Sequence, residues 1–236
     1  MKKIVFSLLM LVPFGLVSCF SGASESSTEE IETQKMQQQV DSLYKKMSQA
    51  ERVAQLYGIR SSEVVENGKL SLQKCREKIP NGIGHVCQYA CALDLGPNEL
   101  RDFVRDSQNY LINETPLGVP AIFYEEAIIG LAAKGTTVYP QQLGVACSWN
   151  PELATVNTEQ TAEVMRSVGA TLALSPMVDL IRTAYWPRIE ESYGEDGYLS
   201  PAMGVAFIEG LQKNGLKDGV AAVSYTHLTL PTNREV

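Results

Sequence analysis

No stripe of Lys and Arg runs through this sequence, and no apolar stretch reaches the length of a membrane-spanning helix. The 236 residues carry a formal net charge of −7, so the electrostatic footprint of a nucleic-acid binder is missing and that class is set aside. Short repeats and heptad patterns are absent as well, which removes solenoids and coiled coils. Metal-ligand spacing is thin. Cys87 and Cys91 lie four apart with His85 close by, but Cys75 and Cys147 form no second tight pair, and zinc sites usually need two. No metal and no cofactor is expected. The four cysteines read as buried free thiols; a disulfide is open to a chain outside the cytoplasm, with a connectivity that sequence does not give.

What is present is ordinary globular material, 44% hydrophobic and 20% charged, enough for one large domain or two small ones. The N-terminus carries the sharpest local signal. Lys2 and Lys3 precede an apolar run from Ile4 to Val17 that suits a signal-peptide core. It ends in Leu16-Val17-Ser18-Cys19, which resembles a bacterial lipoprotein cleavage motif, with residues 1–18 removed and Cys19 lipidated. Loss of Lys2 and Lys3 would take the charge from −7 to −9. Each buried acyl methylene contributes about 0.8 kcal/mol, so several chains anchor lastingly. The expected location is the bacterial cell envelope, facing the periplasm or on the outer surface. Residues 19–39, rich in Ser, Glu and Thr at their start, read as a flexible tether.

Residues 40–223 read as the folded part. Val40, Leu43, Tyr44, Met47, Val53 and Leu56 recur at helical spacing, giving one amphipathic helix or two short ones. Residues 60–85 read as loop, and Asn98 to Leu111 as helix. Ala121-Ile122-Phe123-Tyr124 is a short apolar run behind Pro120, a buried strand that delivers Glu125 and Glu126 at its end. Asn157 is placed to cap a helix that stops at Gly169, with Gln160 in the box position. Thr171 to Leu174 reads as a strand, Ser200-Pro201 as a helix start and Gly219 to Val223 as the next strand. Strand, long loop, helix, strand in repetition favours an α/β fold: a β/α barrel or a doubly wound sheet.

Two loops hold the chemistry. One begins at Glu125-Glu126 and runs to Gln142. The other, Asp179 to Asp196, has five carboxylates, Arg182, Arg188 and Trp186 within eighteen residues. Carboxylates and arginines grip sugar hydroxyls and an indole stacks on the apolar ring face. An exposed ion-pair loop has the same composition.

These stretches resemble the N-terminal barrel of glycoside hydrolase family 3. The likeness is carried by Glu125 to Gly130, by Lys134-Gly135-Thr136-Thr137-Val138-Tyr139-Pro140-Gln141-Gln142-Leu143-Gly144, and by Ser148-Trp149-Asn150-Pro151-Glu152-Leu153. Leu174-Ser175-Pro176 with Asp179, and Glu190 to Asp196, continue it in order over about residues 40–223. The resemblance implies the N-terminal part of a (β/α)8 TIM-like barrel and a retaining exo-β-glycosidase acting on oligosaccharides or simple β-glycosides. It implies that Glu126 and Arg188 hold the terminal sugar, with Glu125 and Arg182 beside it or orienting them. Glu195 and Asp196 are expected to pin the loop to the next helix. The family's histidine of the first loop is Ile129 here, and its Pro-Arg-Trp-Gly-Arg run is Ala184-Tyr185-Trp186-Pro187-Arg188.

After Val223 the family's Lys-His-Phe strand does not follow; residues 224–236 read as a tail foreign to the natural protein. The nucleophilic Asp and the acid/base of the family also have no counterpart. The chain alone is therefore expected to be inactive, its half-barrel edges exposed. Glu126, where aspartate is common in glucose-specific members, leans toward β-xylosidase or a broad exo-β-glycosidase, with xylose and glucose held nearly even. A non-catalytic sugar-binding lipoprotein is the alternative; a transporter's solute-binding lipoprotein should show two similar lobes, which these motifs do not.

Overall fold

The structure, a computed structural model, describes residues 18–224, with side chains from residue 30 onward. The expected signal peptide lies outside the described residues except for Ser18, as do the Cys19 side chain and the tail beyond Ser224. The chain divides into two units at Met47/Ser48.

The first unit is one helix, α1 (Ser18–Lys46). The segment expected to be a flexible tether is therefore helical. Its described part is exposed, including Val40, Leu43 and Tyr44, so burial is not what holds it. A helix polar on most sides draws on side-chain pairs four residues apart; here the Gln37 amide donates to Asp41 Oδ1 at 3.0 Å. Lys45 and Lys46 in the last turn oppose the negative end of the helix dipole. Of the two sequence alternatives for residues 40–56, the two-helix one holds: α2 (Gln49–Ala54) starts afresh behind a capping box in which Ser48 and Glu51 exchange hydrogen bonds.

The second unit is built on five parallel strands: β1 (Gly58–Arg60), β4 (His85–Cys87), β5 (Ile122–Glu125), β6 (Leu172–Ala173) and β7 (Ala221–Ala222), adjacent in that order. A small antiparallel hairpin, β2 (Val65–Glu66) and β3 (Lys69–Leu70), lies between β1 and β4 in sequence. Each strand of the main sheet adds beside its predecessor and the order never reverses. A doubly wound sheet reverses at a switch point; sequential addition is the arc of a β/α barrel. That bears out the barrel the family resemblance implies, over the doubly wound sheet that the alternation of elements alone left open. Among the described residues β1 and β7 are each paired on one side, so the arc is open.

The two faces differ. Register places Ile59, Val86, Phe123, Glu125 and Ala173 on one face, and all are buried. Helices cover it: α4 (Tyr89–Ala92), α5 (Pro97–Glu114), α7 (Pro151–Ser167) and α8 (Leu199–Gln212). Tyr89, Phe103 and Phe123 meet there with ring centroids 5.6 to 6.4 Å apart. The other face carries His85, Ile122 and Tyr124 and is half-buried or exposed, Ile122 at 41%. In a closed barrel that face is the packed interior.

The helices fit their sequences. In α5 Pro97 takes the first position, Glu99 accepts from Gly96 N at 2.8 Å, and Leu100, Phe103, Val104, Ser107, Tyr110 and Leu111 form the buried stripe. The backbones of α7 and α8 approach closely at Gly210, where a Cβ would collide with Thr155 and Thr158.

Three expectations are corrected. Residues 60–85 are not one loop. The Asn67-Gly68 pair, both at positive φ, turns the β2–β3 hairpin, and Ser71 caps α3 (Leu72–Lys78). The cap of α7 is Asn150, whose side chain accepts from Glu152 N at 3.1 Å, and Asn157 lies inside the helix. Ser200 is likewise inside α8; the side chain at that helix start is Asp196, which accepts from Tyr198 N and Leu199 N at 2.9 and 2.6 Å. The expected anchoring role of Asp196 is thus seen in its hydrogen bonds, and they hold its carboxyl below the usual carboxylate range.

Candidate functional site

The loops after β5 and β6 lie at the C-terminal ends of neighbouring parallel strands, where barrel proteins place their functional side chains. The first loop is fixed at its root. Ala127 N donates to the Oγ of Ser175, a fully buried residue just after β6, at 3.1 Å. Glu126 is therefore held by the neighbouring strand's loop as well as its own. Further on, Gly130 sits at φ +88°, and a Cβ there would press on Thr137 O and Tyr139 at 2.9 Å, so the loop closes only over glycine. Tyr139 N donates to Ile129 O, and the Tyr139 hydroxyl reaches Gln160 on α7 at 2.6 Å.

In the second loop Arg188 and Glu191 form a two-pronged ion pair, Nε to Oε1 at 2.9 Å and Nη2 to Oε2 at 2.5 Å. Ile181 N donates to Gly194 O at 3.0 Å and folds the loop back on itself. Its far end is tied to α8 through Asp196.

Glu126 and Arg188 lie close enough for their charges to act on one another. Partial burial raises the Glu126 carboxyl above its ordinary value; the Arg188 guanidinium pulls it down and Glu191 pushes it up. Two loops more than sixty residues apart thus bring one carboxyl and one ion pair within electrostatic reach. Glu126 remains exposed and open to a ligand.

The other two candidates lie elsewhere. Glu125 is 3% exposed, on the helix-covered face, and accepts from Ala90 N at 2.8 Å. Burial pushes its carboxyl up to about 7, with Glu126 adding to the rise and the backbone donors of Ala90 and Tyr89 opposing it. Its place is behind the strand, tying α4 to β5. Arg182 is exposed and lines a cleft of about 650 Å³ with Trp149, Glu195 and Asp196, in which neither Glu126 nor Arg188 takes part. Sequence reasoning passed over Glu191 as the partner of Arg188, although their spacing of three was readable. It named Ser175 within a family motif but did not foresee its contact with Ala127, which spans 48 residues. Cys75, Cys87, Cys91 and Cys147 are free thiols; against expectation only Cys75 is fully buried, and Cys91 and Cys147 are exposed.

The chain's likeness to known proteins fits this geometry. The N-terminal domain of glycosyl hydrolase family 3 matches residues 49–225. The chain belongs to this family. A beta-xylosidase of Formosa agariphila is 48% identical over 105 residues, 42% of this chain and 14% of that protein. A b-glucosidase of Erythrobacter marinus superposes with a TM-score of 0.67 at 29% identity, covering 76% of this chain and 24% of its own. The beta-glucosidase of Listeria innocua in complex with glucose gives 0.64 at 27%, covering 80% and 26%. The chain spans 30% of the length of one curated relative and 14% of another. Its parallel α/β arc corresponds to the TIM-barrel-like N-terminal domain of these neighbours.

Proposed function

We propose that this chain is the sugar-gripping front of a retaining exo-β-glycosidase that removes terminal, non-reducing β-D-glucosyl or β-D-xylosyl residues. Membership of a family of glycoside hydrolases supports the reaction class. The observation that carries the residue-level reading is the Arg188 charge acting on the Glu126 carboxyl from a neighbouring loop. A carboxylate acceptor and a guanidinium donor within electrostatic reach of one another suit the hydroxyls of a single pyranose ring.

A retaining mechanism needs two carboxyl groups about 5 Å apart, one to attack the anomeric carbon and one to protonate the leaving oxygen and then activate water. The carboxyls near Glu126 do not suit that work. Glu125 is behind the strand, and Glu191 is held by both prongs of Arg188. The nucleophile and acid/base are therefore assigned to a longer parent protein, and the chain alone binds without hydrolysing. Cys19 is assigned as the lipid attachment point, which sets the enzyme on a bacterial envelope membrane facing its oligosaccharides.

The test compares the purified chain and the parent on aryl β-xyloside and aryl β-glucoside. The parent should turn over at least one, and the ratio of kcat/KM sets its specificity. Turnover by the chain alone above the uncatalysed rate would overturn the assignment of the missing carboxylates.

A further inference from the structure

Beneath the two loops lies a small cavity lined by Ala127, Gln142, Val145, Thr158, Tyr193 and Phe207, among others. The centre of a water molecule has about 20 Å³ in which to move there, against the roughly 10–15 Å³ that one ordered water needs. The space admits one water and excludes a sugar.

The polar groups around it divide into two sets. The hydroxyls of Thr158 and Thr161 donate to carbonyls within α7, and the Tyr139 hydroxyl is taken by Gln160. Gln142 and Tyr193 are different. Both are 2% exposed, and the Gln142 Nε2, the Gln142 Oε1 and the Tyr193 hydroxyl have no protein partner. A purely apolar cavity of this size stays dry. Three orphaned polar atoms on two buried side chains make the opposite case, because each buried donor or acceptor left unmade costs its full desolvation. Burial also raises the Tyr193 phenol, which keeps it neutral and able to donate or accept.

We propose that this cavity is a hydration site in which one water joins the amide of Gln142 to the hydroxyl of Tyr193. Water has two donors and two acceptors, so it serves either end of the amide and the phenol together. The placement gives the bridge a purpose. Gln142 is the first residue of α6 (Gln142–Ala146), at the end of the loop that begins at Glu126, and Ala127 touches the same cavity. Tyr193 stands two residues after Glu191, the partner of Arg188. The water fastens the loop of Glu126 to the loop of Arg188 from below, where neither side chain has to give up its exposed face.

The test is a double-mutant cycle in the full chain, with Tyr193→Phe, Gln142→Leu and both, read by urea unfolding. With the water present, each single change strands a partner and lowers the midpoint. The double change costs less than the sum, a coupling of roughly threefold to a hundredfold in the unfolding constant. In a dry cavity each single change removes an orphan, the midpoint holds or rises, and the two effects add; that result overturns the proposal. Should either variant fail to fold, a high-resolution crystal structure of the unsubstituted chain decides. Density for a water within hydrogen-bond distance of the Tyr193 hydroxyl and the Gln142 amide supports the bridge. A direct bond between the two side chains, or empty density, refutes it.

Discussion

Replacing Glu125 by glutamine should change how stability depends on pH, while leaving the exposed Glu126 beside it alone. In the fold its carboxyl is raised from 4.5 to about 7, first by burial. A raised acid is easier to keep neutral in the folded state than in the unfolded one. Its contribution to stability is therefore intact below about 4.5 and is lost as pH rises through about 7. At about 1.4 kcal/mol per pKa unit, the swing across that window is about 3 kcal/mol. Glu125→Gln is neutral throughout, and its amide oxygen still accepts from Ala90 N. The extra amide donors add a cost that does not vary with pH. Urea unfolding of both proteins from pH 4.5 to 8.5 isolates the effect, because all other titrations cancel in the difference. With a slope of about 2 kcal/mol/M, the midpoint of the variant should gain on that of the unsubstituted chain by about 1.5 M across the range. Parallel curves, with a constant gap at every pH, would refute the reasoning and mean that water reaches Glu125.

Four further outcomes are expected. Gly210→Ala should destabilise the chain by about 1–3 kcal/mol, since the added methyl meets Thr155 and Thr158 between α7 and α8; thermal unfolding measures it. Carbon-detected titration of the Glu126 carboxyl should show its pKa rising in Arg188→Met and falling in Glu191→Gln, and an unchanged value in both would mean the loops do not converge. In the parent, Arg188→Met should raise KM roughly 10- to 100-fold, the worth of one charge-assisted hydrogen bond. Finally, Cys19→Ala should abolish incorporation of labelled palmitate in a bacterial host, and retained label would remove the lipid anchor.

Three of the five main strands were readable because each is a short apolar run behind a breaker, Pro120 before β5, Gly169 before β6 and Gly219 before β7, whereas β1 and β4 were not read as strands. The division of labour between Glu125 and Glu126 was readable too, since successive side chains on a strand point to opposite faces. Helix starts were harder. Asn157 with Gln160 and Asn150 with Pro151 are both acceptable caps, and only the helix that actually forms, about two turns earlier, chooses between them. At α8 a carboxylate three residues before the helix outcompetes a serine one residue inside it, because Asp196 reaches two backbone donors at once. The β2–β3 hairpin was legible and missed: Asn67-Gly68 is a strong turn signal that a count of polar residues conceals.

What the sequence could not disclose is whatever depends on strand adjacency. Ser175 steadies Glu126 because β6 lies beside β5, and Gln142 meets the cavity of Tyr193 because the loop after each strand folds over the same helices. Alternation of elements alone leaves barrel and doubly wound sheet open, since both share it, and in the sequence only the family resemblance named the barrel. The order of strands, β1 to β4 to β5 to β6 to β7 without reversal, separates them, and it has a direct consequence for the site. In a sequential arc every loop at the C-terminal end leans toward the same axis. Residues as distant in the chain as Glu126 and Arg188 then come within electrostatic reach, and each strand added after β7 would bring another loop to the same rim.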